Sequence, residues 1–116
     1  MTASDVDRPI VLLVQLFVHP GRVAEFHRFE TEAARIMRRH GGRIERVIRP
    51  TGPAAAGPLP HEVHLVSFES AAGFEAYRAD PELKALGALR ESAIARTDVL
   101  VGVDGELYPG EAGPSR

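Results

Sequence analysis

The sequence predicts an α+β domain: a four-stranded antiparallel sheet with its helices on one face. Three observations carry this. An apolar run at residues 10–18 leads into a long helical pattern ending near His40. Strand patterning returns at 43–49. The same order then repeats, with strands at 63–68 and 97–103 around helical sequence at 70–94. Two successive strand–helix–strand units fold into a two-layer arrangement of this kind. The second sheet face is left without helices and needs a partner surface.

Each element has a local reason. The run 10–18 is apolar except for Gln15, the pattern of a strand covered on both faces. His19-Pro20-Gly21 is a turn signal. At 100° per residue, Phe26, Phe29, Ala33, Ile36 and Met37 fall on one helical stripe, and Gly41-Gly42 ends that helix. The segment 50–60, PTGPAAAGPLP, contains four prolines and cannot pair regularly. Hairpin loops usually take about 2–5 residues, so this one reads as a surface loop, with a lid or partner-contacting arm as the alternative. Ser70 is a helix cap, with Phe74 and Tyr77 facing inward. Asp80-Pro81-Glu82 restarts the helix, because Asp caps well and proline suits the first helical position. The expectation is a short helix, a kink near Asp80, and a longer helix to about Ala95 whose apolar face is Leu83, Leu86, Ala93 and Ile94. Residues 10–103 form the domain, with a disordered segment at 1–9 and a flexible tail at 104–116.

At 116 residues the chain accommodates one domain. A net charge of −2 argues against a nucleic-acid surface. Arginine outnumbers lysine 13 to 1, which reads as coding bias rather than chemistry. The absence of cysteine excludes disulfides, thiolate nucleophiles and zinc ribbons. No apolar run approaches the ~20 residues of a membrane span, and no basic-then-apolar leader is evident. The expectation is a cytoplasmic protein that binds neither membrane nor nucleic acid.

Chemistry is sought where charge interrupts apolar faces. Glu30 falls inside the stripe of the first helix, between Phe26 and Met37, and Arg90 falls inside that of the second, near Leu83 and Ile94. An unpaired buried charge costs several kcal/mol, so each requires a partner or a polar cavity. One reading is a Glu30–Arg90 ion pair clamping two helices, or side chains that snorkel out; the other is the polar end of an apolar pocket. The strands add Gln15, His64 and Arg46. The central strands lie side by side, so Gln15 and His64 could share a face, and Arg46 shares one with Ile44 and Ile48. His64, Glu30, Gln15 and Arg90 then form an acid–base constellation, since histidine titrates near neutrality. His61 and His64, three apart on a strand, point to opposite faces and make a poor metal pair. His27 completes no ligand set, so no metal is expected; a site could arise only by long-range convergence. No phosphate loop or nucleophile motif occurs.

The opening half, a strand followed by HPGRVAEFHRFE and HGG, resembles the dimeric α/β-barrel superfamily of ferredoxin-like domains, in particular its antibiotic-biosynthesis monooxygenases. The later half, SFESAAGFEAYRADPELKALGALRESA, is similar to a small bacterial branch of mostly unknown function. The matching features are Phe68 ending a strand, Tyr77 on a short helix, Asp80-Pro81-Glu82 and Leu89-Arg90. The resemblance spans about residues 10–103 and implies a homodimer whose sheets pack face to face, each subunit keeping a pocket between sheet and helices. In relatives such pockets serve cofactor-independent oxidation of aromatic polyketides, lactone isomerisation, dehydration or cyclisation, and haem degradation. This chain departs from the quinone-forming members, having neither tryptophan nor asparagine.

The expected function is cofactor-free acid–base isomerisation or cyclisation of a hydrophobic carbonyl or polyketide-like compound in secondary or degradative metabolism. His64 is the expected proton carrier and Glu30 the second acid–base group. Arg90 would anchor an enolate or carboxylate, Gln15 would hold the substrate oxygen, and Phe26 and Tyr77 would contact the substrate. The alternatives are a cofactor-free monooxygenase acting on a phenol, a non-catalytic ligand-binding or accessory module, and haem handling through His64 or His40.

Overall fold

The computed structural model describes residues 7–52 and 57–110. Much of the expected loose ends and the middle of the 50–60 loop lie outside these residues. Strand β1 (Ile10–Val18) is followed by helix α1 (Val23–Arg39), strands β2 (Gly42–Ile48) and β3 (Glu62–Phe68), the helical run α2 (Ala71–Ala79), α3 (Pro81–Ala85) and α4 (Gly87–Ala93), and strand β4 (Ile94–Gly102). The sheet order is β2-β3-β1-β4, and every pairing is antiparallel. This is the predicted four-stranded ferredoxin-like architecture.

Helix α1 docks through the predicted stripe: Phe26, Phe29, Ala33, Ile36 and Met37 are all buried. Each of the four larger side chains contributes about 1.5–3 kcal/mol over remaining exposed. They meet alternate residues of β1. Leu16 joins Phe26, Phe29 and Ile94 in one cluster, while Ile10 and Leu12 join Met37, Val66 and Phe68 in another. Between the clusters lies Val14, which packs against both. Gly41 ends α1 at φ +79°, its N–H bonding the Arg38 carbonyl at 3.1 Å, a left-handed position that glycine takes without a Cβ penalty. Gly42 is needed for a different reason. A Cβ there would run into the Phe68 ring and lie 2.7 Å from Met37 Cγ.

Both predicted caps form. The Ser70 hydroxyl accepts from Gly73 N–H at 2.9 Å, and the Asp80 carboxylate accepts from Glu82 N–H at 2.8 Å. The helix expected from Asp80 to Ala95 is instead two pieces. Leu86 leaves helical geometry at φ −87° and ψ 6°, at the point where Gly87 weakens the helix. Strand geometry begins at Ile94 rather than Thr97, since the Ala93 carbonyl is taken by His19 N–H at 2.8 Å.

Two expectations about faces are corrected. His64 pairs with Val14 and Gln15 with Val63. Directly paired residues share a face and neighbours alternate, so Gln15 points to the helix-free side, away from His64. In β2 the register shifts between Ile44 and Arg46. This bulge puts Arg46 opposite Leu65 on the helix-free side, whereas Ile44 stays with Val66 on the helix side. A bulge adds one residue and breaks the period-two rule.

Candidate functional site

A cavity of about 350 Å³ lies between sheet and helices. Its floor is the helix-facing row of the central strands, Leu12, Val14 and Leu16 of β1 with His64, Val66 and Phe68 of β3. One wall is Phe29, Glu30 and Met37 of α1, and the opposite wall is Phe74 and Tyr77 of α2 with Leu83 of α3. Arg90 of α4 and Thr97 and Val99 of β4 close the outer side. The space exists because α2, α3 and α4 are short and change direction at Asp80 and Leu86, so no continuous helix fills the groove beside α1. A largely apolar cleft with a few converging polar groups is the usual form of a small-molecule site.

Of the expected site residues, four line the cavity: Glu30, His64, Arg90 and Tyr77. Phe26 does not. It is fully buried and packs edge-on against His61 at 5.5 Å between ring centres. Gln15 also lies outside, on the other sheet face.

The expected Glu30–Arg90 ion pair does not form among the described residues. Arg90 is exposed, and its Nη2 donates to Thr97 Oγ1 at 2.9 Å, at the cavity edge. Glu30 instead faces His64, with Oε1 3.8 Å from Nδ1, which is too far for a hydrogen bond. Burial pushes the Glu30 carboxyl above its usual range. The His64 and Arg90 charges pull it back, and the Glu62 charge adds to the rise. Tyr77 is pushed up to about 12, first by burial and then by the charge of Glu30, so it stays a phenol and can donate a hydrogen bond.

Glu62 is the residue that sequence reasoning missed. It is 4% exposed and shares the helix-facing row with His64, two positions along β3. His64 Nε2 lies 2.7 Å from Glu62 Oε1, and Arg49 Nε donates to Oε2 at 2.8 Å. Burial opposes the charge on Glu62, but these two hydrogen bonds outweigh it and hold the carboxyl below its usual range. An ionised carboxylate only accepts, so Nε2 carries the proton toward Glu62 and Nδ1 is the nitrogen that faces Glu30. The period-two rule alone would have found this partner, because residues two apart on a strand share a face.

The geometry therefore offers a fixed imidazole, an under-solvated carboxylate with no direct cation contact, a phenol and a rim guanidinium around one apolar space. Such groups can exchange a proton with a bound ligand and hold a developing negative charge. Folding also brings His27 of α1 next to His61 and Glu62, a long-range convergence that spacing along the chain does not show.

Solved structures with this architecture span nearly all of the chain. A protein of unknown function from Rhodopseudomonas palustris is 16% identical over 90% of this chain and 88% of its own, with a TM-score of 0.75. A DABB-family protein with a ferredoxin-like fold from Mesorhizobium loti is 19% identical over 84% of this chain and 98% of its own, with a TM-score of 0.62. SnoaB, a cofactor-independent oxygenase from Streptomyces nogalater, is 16% identical over 88% of this chain and 98% of its own, with a TM-score of 0.64. At these identities the likeness shows a shared fold, the fold implied by the sequence resemblance. No family model and no curated protein matches the chain. Among the described residues, no helix is long and apolar enough to cross a membrane.

Proposed function

We propose that the cavity is the active site of a cofactor-independent enzyme that moves a proton on a hydrophobic carbonyl compound, causing isomerisation or cyclisation. The observation that carries this reading is Glu30. It is a carboxyl on the wall of an apolar cavity, raised by burial above its usual range, and its approach to His64 Nδ1, at 3.8 Å, is too long for a hydrogen bond. Perturbed groups of this kind in a cleft mark functional sites.

The roles differ from those expected from sequence. Glu30 removes the proton from the carbon beside the carbonyl and returns it at another carbon, which completes an isomerisation. His64 is held by Glu62 and is the fixed polar neighbour of that base rather than the free proton carrier. Tyr77 donates to the substrate oxygen, and Arg90 at the rim attracts the enolate charge or a substrate carboxylate. An apolar cavity strengthens each of these interactions relative to water.

A second copy of the chain fits the helix-free sheet face. Leu100 there is 67% exposed and Leu65 39% exposed, beside Leu13 and Gln15. Gln15 would lie in that interface. The runner-up reading is a cofactor-free monooxygenase acting on a phenol, favoured by the structural likeness to SnoaB, a cofactor-independent oxygenase.

The test is a panel of hydrophobic β,γ-unsaturated ketones, lactones and phenols. Conjugated product and exchange of the acidic C–H with deuterated water are followed, with and without oxygen. Glu30→Gln should reduce turnover by about 10²–10⁴-fold, the usual worth of general acid–base catalysis. Turnover by Glu30→Gln within about twofold of the parent would overturn the assignment. Strict dependence on oxygen would select the monooxygenase reading. Tight binding without turnover would select the ligand-binding module.

A further inference from the structure

We propose that His27, His61 and Glu62 form a binding site for one divalent borderline metal ion, with Zn(II) as the representative species. The site lies beside the cavity and shares with it Glu62, the residue that holds His64. One nitrogen of each histidine and one carboxylate oxygen of Glu62 lie within 4.8 Å of one another. Ligands at the usual 2.0–2.2 Å from a tetrahedral ion are about 3.4 Å apart. Closing the set therefore takes roughly 1 Å of adjustment, which the exposed His27 side chain can supply by a change of rotamer.

The other two ligands are held in place. His61 N–H bonds the Leu16 carbonyl at 2.7 Å, fixing the start of β3 against β1. Its ring stands at 89° to the fully buried Phe26 ring, which limits its rotation. The Glu62 carboxylate is oriented by His64 at 2.7 Å and Arg49 at 2.8 Å. Hydrogen-bonded carboxylates and packed imidazoles are what hold metal ligands in position. Each carboxylate oxygen has two acceptor positions, so Glu62 can keep its partners and still bind an ion. Arg49 has a side chain 67% exposed, so water screens it from the added charge.

Two imidazoles and one carboxylate suit Zn(II), Ni(II) or Cu(II) better than Mg(II) or Ca(II), which prefer all-oxygen sets. Three protein ligands leave at least one position for water. The ligands come from α1 and from the start of β3 with the residue before it, 34 positions apart between His27 and His61. An ion that joins them favours the folded state by mass action.

The experiment uses the full chain without a histidine tag, stripped with chelator and titrated with Zn(II) by calorimetry. Thermal midpoints are measured in parallel, and Co(II) serves as the absorbance probe. One ion per chain is expected, with a Zn(II)-dependent rise in the midpoint and a tetrahedral Co(II) spectrum. His27→Ala and His61→Ala should each weaken binding by at least about tenfold. His27 is exposed, so its variant keeps the fold and decides the matter if His61→Ala does not. Absence of saturable binding at millimolar Zn(II) would overturn the proposal. So would affinity unchanged in His27→Ala, which would place the ion on other side chains.

Discussion

Glu62→Gln removes one charge from a buried, doubly hydrogen-bonded carboxylate and keeps its shape. The parent carboxylate is 4% exposed and accepts from His64 at 2.7 Å and Arg49 at 2.8 Å. A hydrogen bond to a charged group contributes about 1.5–3 kcal/mol, and the His64 bond is buried at both ends. The Arg49 end is exposed, so its ion pair adds at most about 1 kcal/mol. Glutamine is cheaper to bury than a carboxylate, which takes back part of the loss. The balance is a destabilisation of about 2 kcal/mol. Urea denaturation at neutral pH, with chelator present and both proteins at one concentration, measures it. With a slope of about 2 kcal/mol per molar, the midpoint should fall by about 1 M. Arg49→Ala, which removes only the exposed partner, should move it by less than half as much. A Glu62→Gln midpoint equal to the parent's would show that the Glu62–His64 bond does not hold the imidazole, and the orientation of Nδ1 toward Glu30 would lose its basis.

Glu30→Gln should also change how stability depends on pH. Burial raises the folded-state carboxyl above its value of 4.5 in an unfolded chain. As pH rises through that window the unfolded state releases its proton first, so the parent loses stability. The variant lacks this loss, and its advantage in thermal midpoint should grow with pH from about 4.5 upward and then level off; an advantage that shrinks with rising pH would contradict the burial of Glu30. Gly42→Ala should cost about 1–3 kcal/mol by overpacking against Phe68 and Met37, read as a lower urea midpoint. Leu100→Lys should leave far-UV circular dichroism unchanged and shift sedimentation toward monomer, since Leu100 lies on the helix-free face at 67% exposure. An unchanged sedimentation coefficient would argue against that face as the interface.

The elements were legible because their signals are local. An apolar run set β1, a stripe at helical spacing set α1, and Ser70 and Asp80 announced their caps. The break at Leu86 was harder to read, because Gly87 only weakens a helix and packing determines whether it breaks. Arg46 changed faces because a bulge is a pairing event between β2 and β3, invisible in β2 alone. Gln15 was assigned to the wrong side of the sheet for a related reason, since its face depends on which residue of β3 it pairs with. Glu30 and His64 were legible as polar intruders on apolar patterns. Their meeting, and the turning of Arg90 to Thr97 at the rim, required the distance between helix and sheet.

The sequence by itself determined the layer order, the bare sheet face and the presence of Glu30 and His64 on surfaces that should be apolar, because periodicity records which side of an element meets the core. Only the tertiary structure decided which charges touch. Glu62 captures His64, Glu30 is left without a bonded cation in an apolar cavity, and His27 arrives beside His61. Those outcomes depend on register, bulges and helix breaks, which bring residues distant in the chain within a few ångströms, where electrostatic energy falls off too steeply for residue spacing to foretell it.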